Sequence, residues 1–89
     1  MSAEAYLNHP TFGLLYRVCA LGEGQELFMT LYAHRLFFRV LIHPEGMEFE
    51  PMSRAQARML VDMQLRTLRR TGKLGEYEHL QLFDKQMFS

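Results

Sequence analysis

The hydrophobic pattern of this chain changes its period once, near residues 51–53. Before this point apolar residues cluster in short runs, or alternate with polar ones as in Met47-Glu48-Phe49-Glu50, a spacing typical of β-strands. Pro51 blocks continuation of a strand ladder. After it, apolar residues recur at three- and four-residue intervals, as on one face of a helix. The pattern predicts an α+β protein with a β domain at residues 1–52 and two helices at residues 53–89.

Four short strands are predicted in the first half. They span residues 13–21, 26–33, 36–42 and 47–50, with turn signals at Gly22-Glu23-Gly24 and at His43-Pro44-Glu45-Gly46. Residues 1–12 are predicted to pack on the domain as a leader without a regular element. Because three or more strands are needed to bury an apolar face, we expect a small bent sheet or open barrel.

Helix signals follow at once. Ser53 and Gln56 have the spacing of a capping box, and Gly72 suits the position after the helix end. Arg58, Asp62 and Arg66 are four residues apart, which predicts ion pairing on the solvent side. The apolar stripe of the first helix is Ala57, Leu60, Val61, Leu65 and Leu68. The second helix, residues 74–87, has the stripe Leu74, Tyr77, Leu80, Phe83 and Met87. The short connection predicts an antiparallel hairpin.

The strand aromatics leave two possibilities open. Phe28 and Tyr32 lie on the face opposite to Leu27, Met29 and Leu31, so a one-layer sheet cannot bury both faces. Either the helices cover the second face, or that face binds a partner. Phe37 and Phe38 divide between the faces in the same way.

Charge and cysteine content limit the range of functions that the chain can have. The net charge is zero, but residues 1–53 carry three arginines against six glutamates, whereas residues 54–89 carry seven basic against four acidic residues. A neutral total disfavours nucleic acid as the main partner, although a nucleic-acid-binding module stays the alternative. A single cysteine, Cys19, and the absence of a signal-peptide pattern lead us to expect a cytoplasmic protein without disulfides. The apolar runs are too short to span a membrane.

The sequence contains no group of residues with the spacing of a catalytic site. The four histidines lie apart, without metal-ligand spacing, and Cys19, in an apolar strand, is expected to be a buried, inert thiol. The glycines of the first turn do not open a helix, so they form no phosphate loop. We therefore expect a binding module without catalytic residues, cofactor or metal.

Long strings of residues carry a family resemblance. They include Tyr6-Leu7-Asn8-His9-Pro10-Thr11-Phe12-Gly13-Leu14-Leu15-Tyr16, Glu26-Leu27-Phe28, Thr30-Leu31-Tyr32-Ala33, Arg35-Leu36-Phe37-Phe38, Phe49-Glu50-Pro51, Ala57-Arg58-Met59-Leu60-Val61-Asp62 and Leu68-Arg69-Arg70. They resemble PipX, the PII-interacting protein X of cyanobacteria. The resemblance covers nearly the whole chain without an obvious gap.

The resemblance implies a Tudor-like domain followed by two helices, and a regulatory adaptor in nitrogen and carbon signalling. The implied partners are the PII signal protein, when 2-oxoglutarate is scarce and ADP plentiful, and the 2-oxoglutarate-bound transcription factor NtcA, which the family coactivates. The two complexes would exclude each other. The resemblance implies no cofactor, since the effector binds the partners. It also implies a protein that is monomeric alone, without direct DNA or membrane contact, with further transcriptional regulators as additional partners left open.

Carried over by position, the implied partner-binding residues lie in the leader and around the second and third predicted strands: Glu4, Tyr6, Tyr32, His34, Arg35, Leu36 and Phe38. Two positions depart from the family pattern. His34 stands where an amide residue is expected and would alter partner affinity or add pH sensitivity. Arg39 stands where an apolar residue is expected, which predicts a partly wet face and a β-bulge in the third predicted strand.

Overall fold

The structure is a computed structural model that describes residues 6–32 and 35–88. A five-stranded antiparallel sheet is followed by two helices, which confirms the predicted fold class. The strands are β1 (Tyr6–His9), β2 (Gly13–Gly22), β3 (Gln25–Thr30), β4 (Phe37–His43) and β5 (Gly46–Met52), and they lie side by side in chain order. The helices are α1 (Arg54–Arg70) and α2 (Leu74–Phe88). The predicted boundary falls between β5 and α1; the division into a β domain at residues 1–52 and a helical part at residues 53–89 stays a prediction.

The leader contains a strand, so the prediction of an irregular leader was wrong. Residues of β1 pair with β2, with Tyr6 opposite Tyr16 and His9 opposite Gly13. Leu7 and His9 turn partly inward while Tyr6 and Asn8 are exposed, an alternation of only four residues that is too short to stand out in sequence. The strand predicted to reach residue 33 ends at Thr30 instead.

The bulges lie in β2 and not in the third predicted strand. The β2–β3 register shifts between Arg17 and Cys19 and again between Ala20 and Gly22, whereas β4 is in regular register with both neighbours. Extra residues increase the local twist of a strand, so they help the sheet to curl.

Hydrophobic side chains cover both faces of the sheet. On one face Leu27, Met29 and Phe37 pack against the helices in a cluster that we call the helix-side core, whose helical members are Ala57, Val61, Leu68, Leu80, Met87 and Phe88. The helices thus cover the face of Leu27 and Met29, so the alternative in which they cover the face of Phe28 was wrong.

The opposite face forms a second cluster, the inner core. It consists of buried Leu15, Phe28, Phe38 and Val40, with Leu7 and Phe49 packed against them. These side chains come from all five strands, so the sheet curls far enough to bring its edges together. His9 of β1 lies with its ring 5.0 Å from that of Phe49 on β5.

Arg39 lies on the helix-side face of the sheet, outside the buried centre of that face. It stands directly opposite Glu50, and its Nε donates to the Glu50 carboxylate at 2.7 Å. Both side chains are partly exposed, which agrees with the expected partly wet face. A cross-strand ion pair, and not a bulge, accommodates the charge.

Both ends of α1 are capped. The Gln56 amide donates to Ser53 Oγ at 3.0 Å, and the Ser53 amide donates to the Gln56 side chain at 2.9 Å, so the predicted capping box is confirmed. At the other end Gly72 has a φ of +76°, and the Lys73 amide donates to the Leu68 carbonyl at 3.0 Å. That bond is the signature of a Schellman end.

Two details of the helices differ from the predictions. Leu74 is 61% exposed because it begins α2, before the helix reaches the core. The ion pairs predicted for Asp62 are not formed with either arginine among the described residues.

Replacing Ser53 should test the cap. Ser53→Ala should lower the free energy of unfolding by about 1 kcal/mol, because a side-chain acceptor for a helix N–H is lost. Ser53→Asp keeps an acceptor and should stay close to the wild type. Urea denaturation measures both. An equal loss in the two variants would contradict the assignment.

Candidate partner-binding surface

Exposed apolar side chains surround the turn between β3 and β4. Leu31, Tyr32 and Leu36 are 40%, 70% and 38% exposed, although they flank strands that are buried on both faces. Residues 33 and 34 lie outside the described part of the chain. Single exposed apolar residues are ordinary, but several together mark a place where another protein can bind.

Hydrogen bonds from backbone amides hold the base of this turn. The Thr30 amide donates to the Leu36 carbonyl at 2.9 Å, and the Leu36 amide donates to Thr30 Oγ1 at 2.9 Å. The Leu31 amide donates to the Leu14 carbonyl of β2 at 3.0 Å. The exposed side chains are thus displayed from a fixed base, which limits the entropy lost when a partner binds.

Strand β1 brings Tyr6 to the same surface. Tyr6 is 54% exposed, and an open cavity of about 330 Å³ lies between it and the turn, lined by Tyr6, Tyr16, Met29, Thr30, Leu31 and Arg35. Burial raises the pKa of Tyr16, and the nearby positive charge of Arg35 partly opposes this shift. The structure therefore brings together Tyr6 and Arg35, which are far apart in sequence. We call Tyr6, Leu31, Tyr32, Arg35 and Leu36 the turn surface.

Phe38 does not belong to the turn surface. It is only 3% exposed, and its ring lies 5.2 Å from that of His9 and 5.5 Å from that of Phe12 in the inner core. We therefore correct its assignment: in this structure Phe38 supports the sheet from within and is not available for contact. Leu31 is a member that the sequence interpretation missed, because it was assigned to a longer strand. Glu4 and His34 lie outside the described residues.

Arg35 also links the turn surface to the end of α2. Its Nη1 donates to the thioether sulfur of Met87 at 3.1 Å. Beside it, the rings of Phe37 and Phe88 stack with centroids 5.6 Å apart. Arg54 lies 5.2 Å from the Phe88 ring centroid and donates to the Met87 carbonyl. The last turn of α2 is thus docked beside Arg35 of the turn surface.

Cys19 is unsuited to nucleophilic chemistry. Although it borders an open cavity of about 440 Å³, burial raises the pKa of its thiol to about 12 from an ordinary 9.0, so the reactive thiolate is scarce near neutral pH. Among residues 6–32 and 35–88 there is no group of three or more potential metal ligands. In the same part of the chain no helix is long and apolar enough to cross a membrane.

The geometry is typical of a small protein-binding module. A rigid curled sheet displays two tyrosines, two leucines and an arginine, and tyrosine and arginine are enriched among residues that dominate binding energy. The family model described as PipX: PII-interacting protein X matches residues 3–88, so the chain belongs to the PipX family. Membership implies a PII-interacting regulatory protein and not a member of a known enzyme family. No curated protein matches the chain.

The Cys19 thiol should react slowly in the folded protein. At pH 8 its modification by a disulfide reagent should be much slower than in urea-unfolded protein, because folding raises the thiol pKa. Since the unfolded thiol ionises first, folding stability should fall as pH rises from about 9 towards 12. Cys19→Ala should remove this part of the pH dependence. Reaction of the folded protein at the unfolded rate would contradict the assignment.

Proposed function

We propose that this protein is a non-enzymatic adaptor that binds either of two regulators through the turn surface, in the cytoplasm of a cyanobacterial cell. One is the PII signal protein, bound when 2-oxoglutarate is scarce and ADP is plentiful. The other is NtcA in its 2-oxoglutarate-bound form, for which the adaptor acts as a transcriptional coactivator. The observation that carries the proposal is the match to the PipX family over residues 3–88.

The turn surface has the chemistry that such binding needs. Tyr32 and Tyr6 present large, rigid side chains that lose little entropy on binding, and their hydroxyl groups can pair with polar groups of a partner. Arg35 can donate two parallel hydrogen bonds to a carboxylate. Glu4 and His34 complete the proposed contact set as chain neighbours of Tyr6 and Arg35.

One surface can serve two partners by mass action. The effector changes the affinity of each partner, and the adaptor then distributes itself between them without binding an effector itself. Shared contact residues make the two complexes mutually exclusive, because Tyr32 cannot be buried against both partners at once.

The link between Arg35 and α2 adds a consequence for the helices. A partner carboxylate is a far stronger acceptor than the Met87 thioether, so a partner that captures Arg35 removes one contact that holds the end of α2. A partner that leaves the Arg35–Met87 contact in place keeps α2 docked. The position of the helices would then differ between the two complexes.

Calorimetric titration should show the metabolic switch. We expect this protein to bind a cyanobacterial PII protein in the presence of ADP, and to lose most of that binding when ATP and 2-oxoglutarate replace ADP. Equal binding under both conditions would contradict the switch, and no binding under either condition would contradict the proposed partner.

Tyr32→Ala should weaken binding to PII by about 2 kcal/mol, the loss typical of an aromatic residue at the centre of an interface. Ile42→Ala is the matched control, since Ile42 is 46% exposed at the far end of β4 and should leave the affinity unchanged. Both variants should unfold at the wild-type urea midpoint. Wild-type affinity of a folded Tyr32→Ala protein would remove Tyr32 from the site.

A further inference from the structure

Two large apolar side chains stand on the outer face of α1. Met59 and Met63 are 64% and 52% exposed, and they are one helical turn apart. The residues that bury α1 against the sheet and α2 are Ala57, Val61 and Leu68. At about 100° per residue, the two methionines lie on the opposite side of the helix. Met63 borders an open cavity of about 240 Å³ that Arg39 of the sheet also lines, yet more than half of each methionine side chain is left uncovered by the described residues.

The methionines begin a longer stripe with a regular spacing. Residues 59, 63, 66 and 70 are separated by four, three and four positions, which is the spacing of the contact seam in a coiled coil. Arg66 and Arg70 supply the second half of the stripe, and both are exposed. We call Met59, Met63, Arg66 and Arg70 the outer seam. It extends about 16 Å along the helix, and a second helix can follow its spacing.

The charge of α1 specifies what kind of helix would fit. The helix carries five arginines and one aspartate, and its first turn contains no acidic residue. Within the described residues the ion pairs lie in the sheet, and none includes Arg58, Arg66, Arg69 or Arg70. Arg66 and Arg70 of the outer seam thus form no ion pair with a carboxylate among residues 6–32 and 35–88.

A second copy of α1 is a poor match for the outer seam. In parallel pairing Arg66 and Arg70 would face themselves, and in antiparallel pairing they would face Met63 and Met59. Either arrangement desolvates arginines without a counter-charge, which is costly. A partner with carboxylates at these positions removes the cost, while methionine side chains adapt to varied apolar surfaces.

We propose that the outer seam docks an acidic amphipathic helix of another protein, whose apolar pair packs on Met59 and Met63 and whose carboxylates pair with Arg66 and Arg70. This site is separate from the turn surface, and the adaptor could thereby carry an additional protein while the turn surface is occupied. The contact would be sensitive to salt, because half of the seam is ionic.

Designed peptides can test this without a known partner. Two helical peptides of about 21 residues carry a leucine pair and a glutamate pair at seam spacing, one with the glutamates after the leucines and one with them before. We expect one of them to shift the backbone amide NMR signals of α1 in a saturable manner, and a version with lysines in place of the glutamates to have no effect. Failure of both glutamate peptides to bind would overturn the proposal.

A charge swap supplies the decisive control. Arg66→Glu combined with Arg70→Glu should weaken the binding of the glutamate peptide by at least about tenfold. The same double variant should bind the lysine peptide. Arg58→Glu combined with Lys73→Glu makes the same change of net charge away from the seam and should have a much smaller effect. Circular dichroism verifies that both double variants remain folded.

Three results would contradict a specific helix site. The variant at Arg58 and Lys73 could weaken peptide binding as much as the variant at Arg66 and Arg70, which would show general electrostatic attraction. Met59→Gln combined with Met63→Gln could leave the peptide affinity unchanged. A DNA duplex or an anionic lipid vesicle could bind the outer seam while the glutamate peptides do not, which would assign the face to a different class of partner.

Discussion

The burial of β3 and β4 on both faces is the constraint on which the rest of the structure depends. Neighbouring residues of these strands point into different cores: Leu27 and Phe37 meet the helices, whereas Phe28 and Phe38 fill the inside of the curl. The two strands form the middle layer of the molecule, so a substitution that shifts them in one core also affects the packing of the other core. Closely packed interiors of this kind have few alternative arrangements. The connection between the strands is consequently held at its base, while the side chains of Leu31, Tyr32 and Leu36 are exposed.

Position on this middle layer explains why the turn surface suits recognition. Its aromatic and leucine side chains are exposed, yet the backbone at Thr30 and Leu36 is tied by hydrogen bonds. Arg35 adds a connection to the helices through Met87, so occupation of the surface and docking of α2 use one guanidinium group. Membership in the PipX family gives this arrangement a regulatory context, and the proposed exchange between PII and NtcA follows from shared contacts.

Local signals predicted much of the fold, and long-range packing accounts for what they missed. The capping box at Ser53 and the turn at Gly72 depend on adjacent residues, and both were predicted correctly. Strand β1 was missed because four residues give too little periodicity, and its pairing with β2 depends on tertiary structure. Phe38 was assigned to the candidate surface by position in the family resemblance, which does not show that its side chain is buried inside the curl of the sheet. The cavity between Tyr6 and Arg35 arises only when the sheet curls.

We propose that one surface of this protein serves two partners in turn. The most direct measurement is competition followed by sedimentation velocity: PII with ADP is added in increasing amounts to the complex of this protein with NtcA, at the lowest 2-oxoglutarate concentration that maintains that complex. We expect NtcA to be released as the PII complex forms, with no species containing all three proteins. A stable ternary complex would contradict a shared surface and would place the two partners on different faces of the molecule.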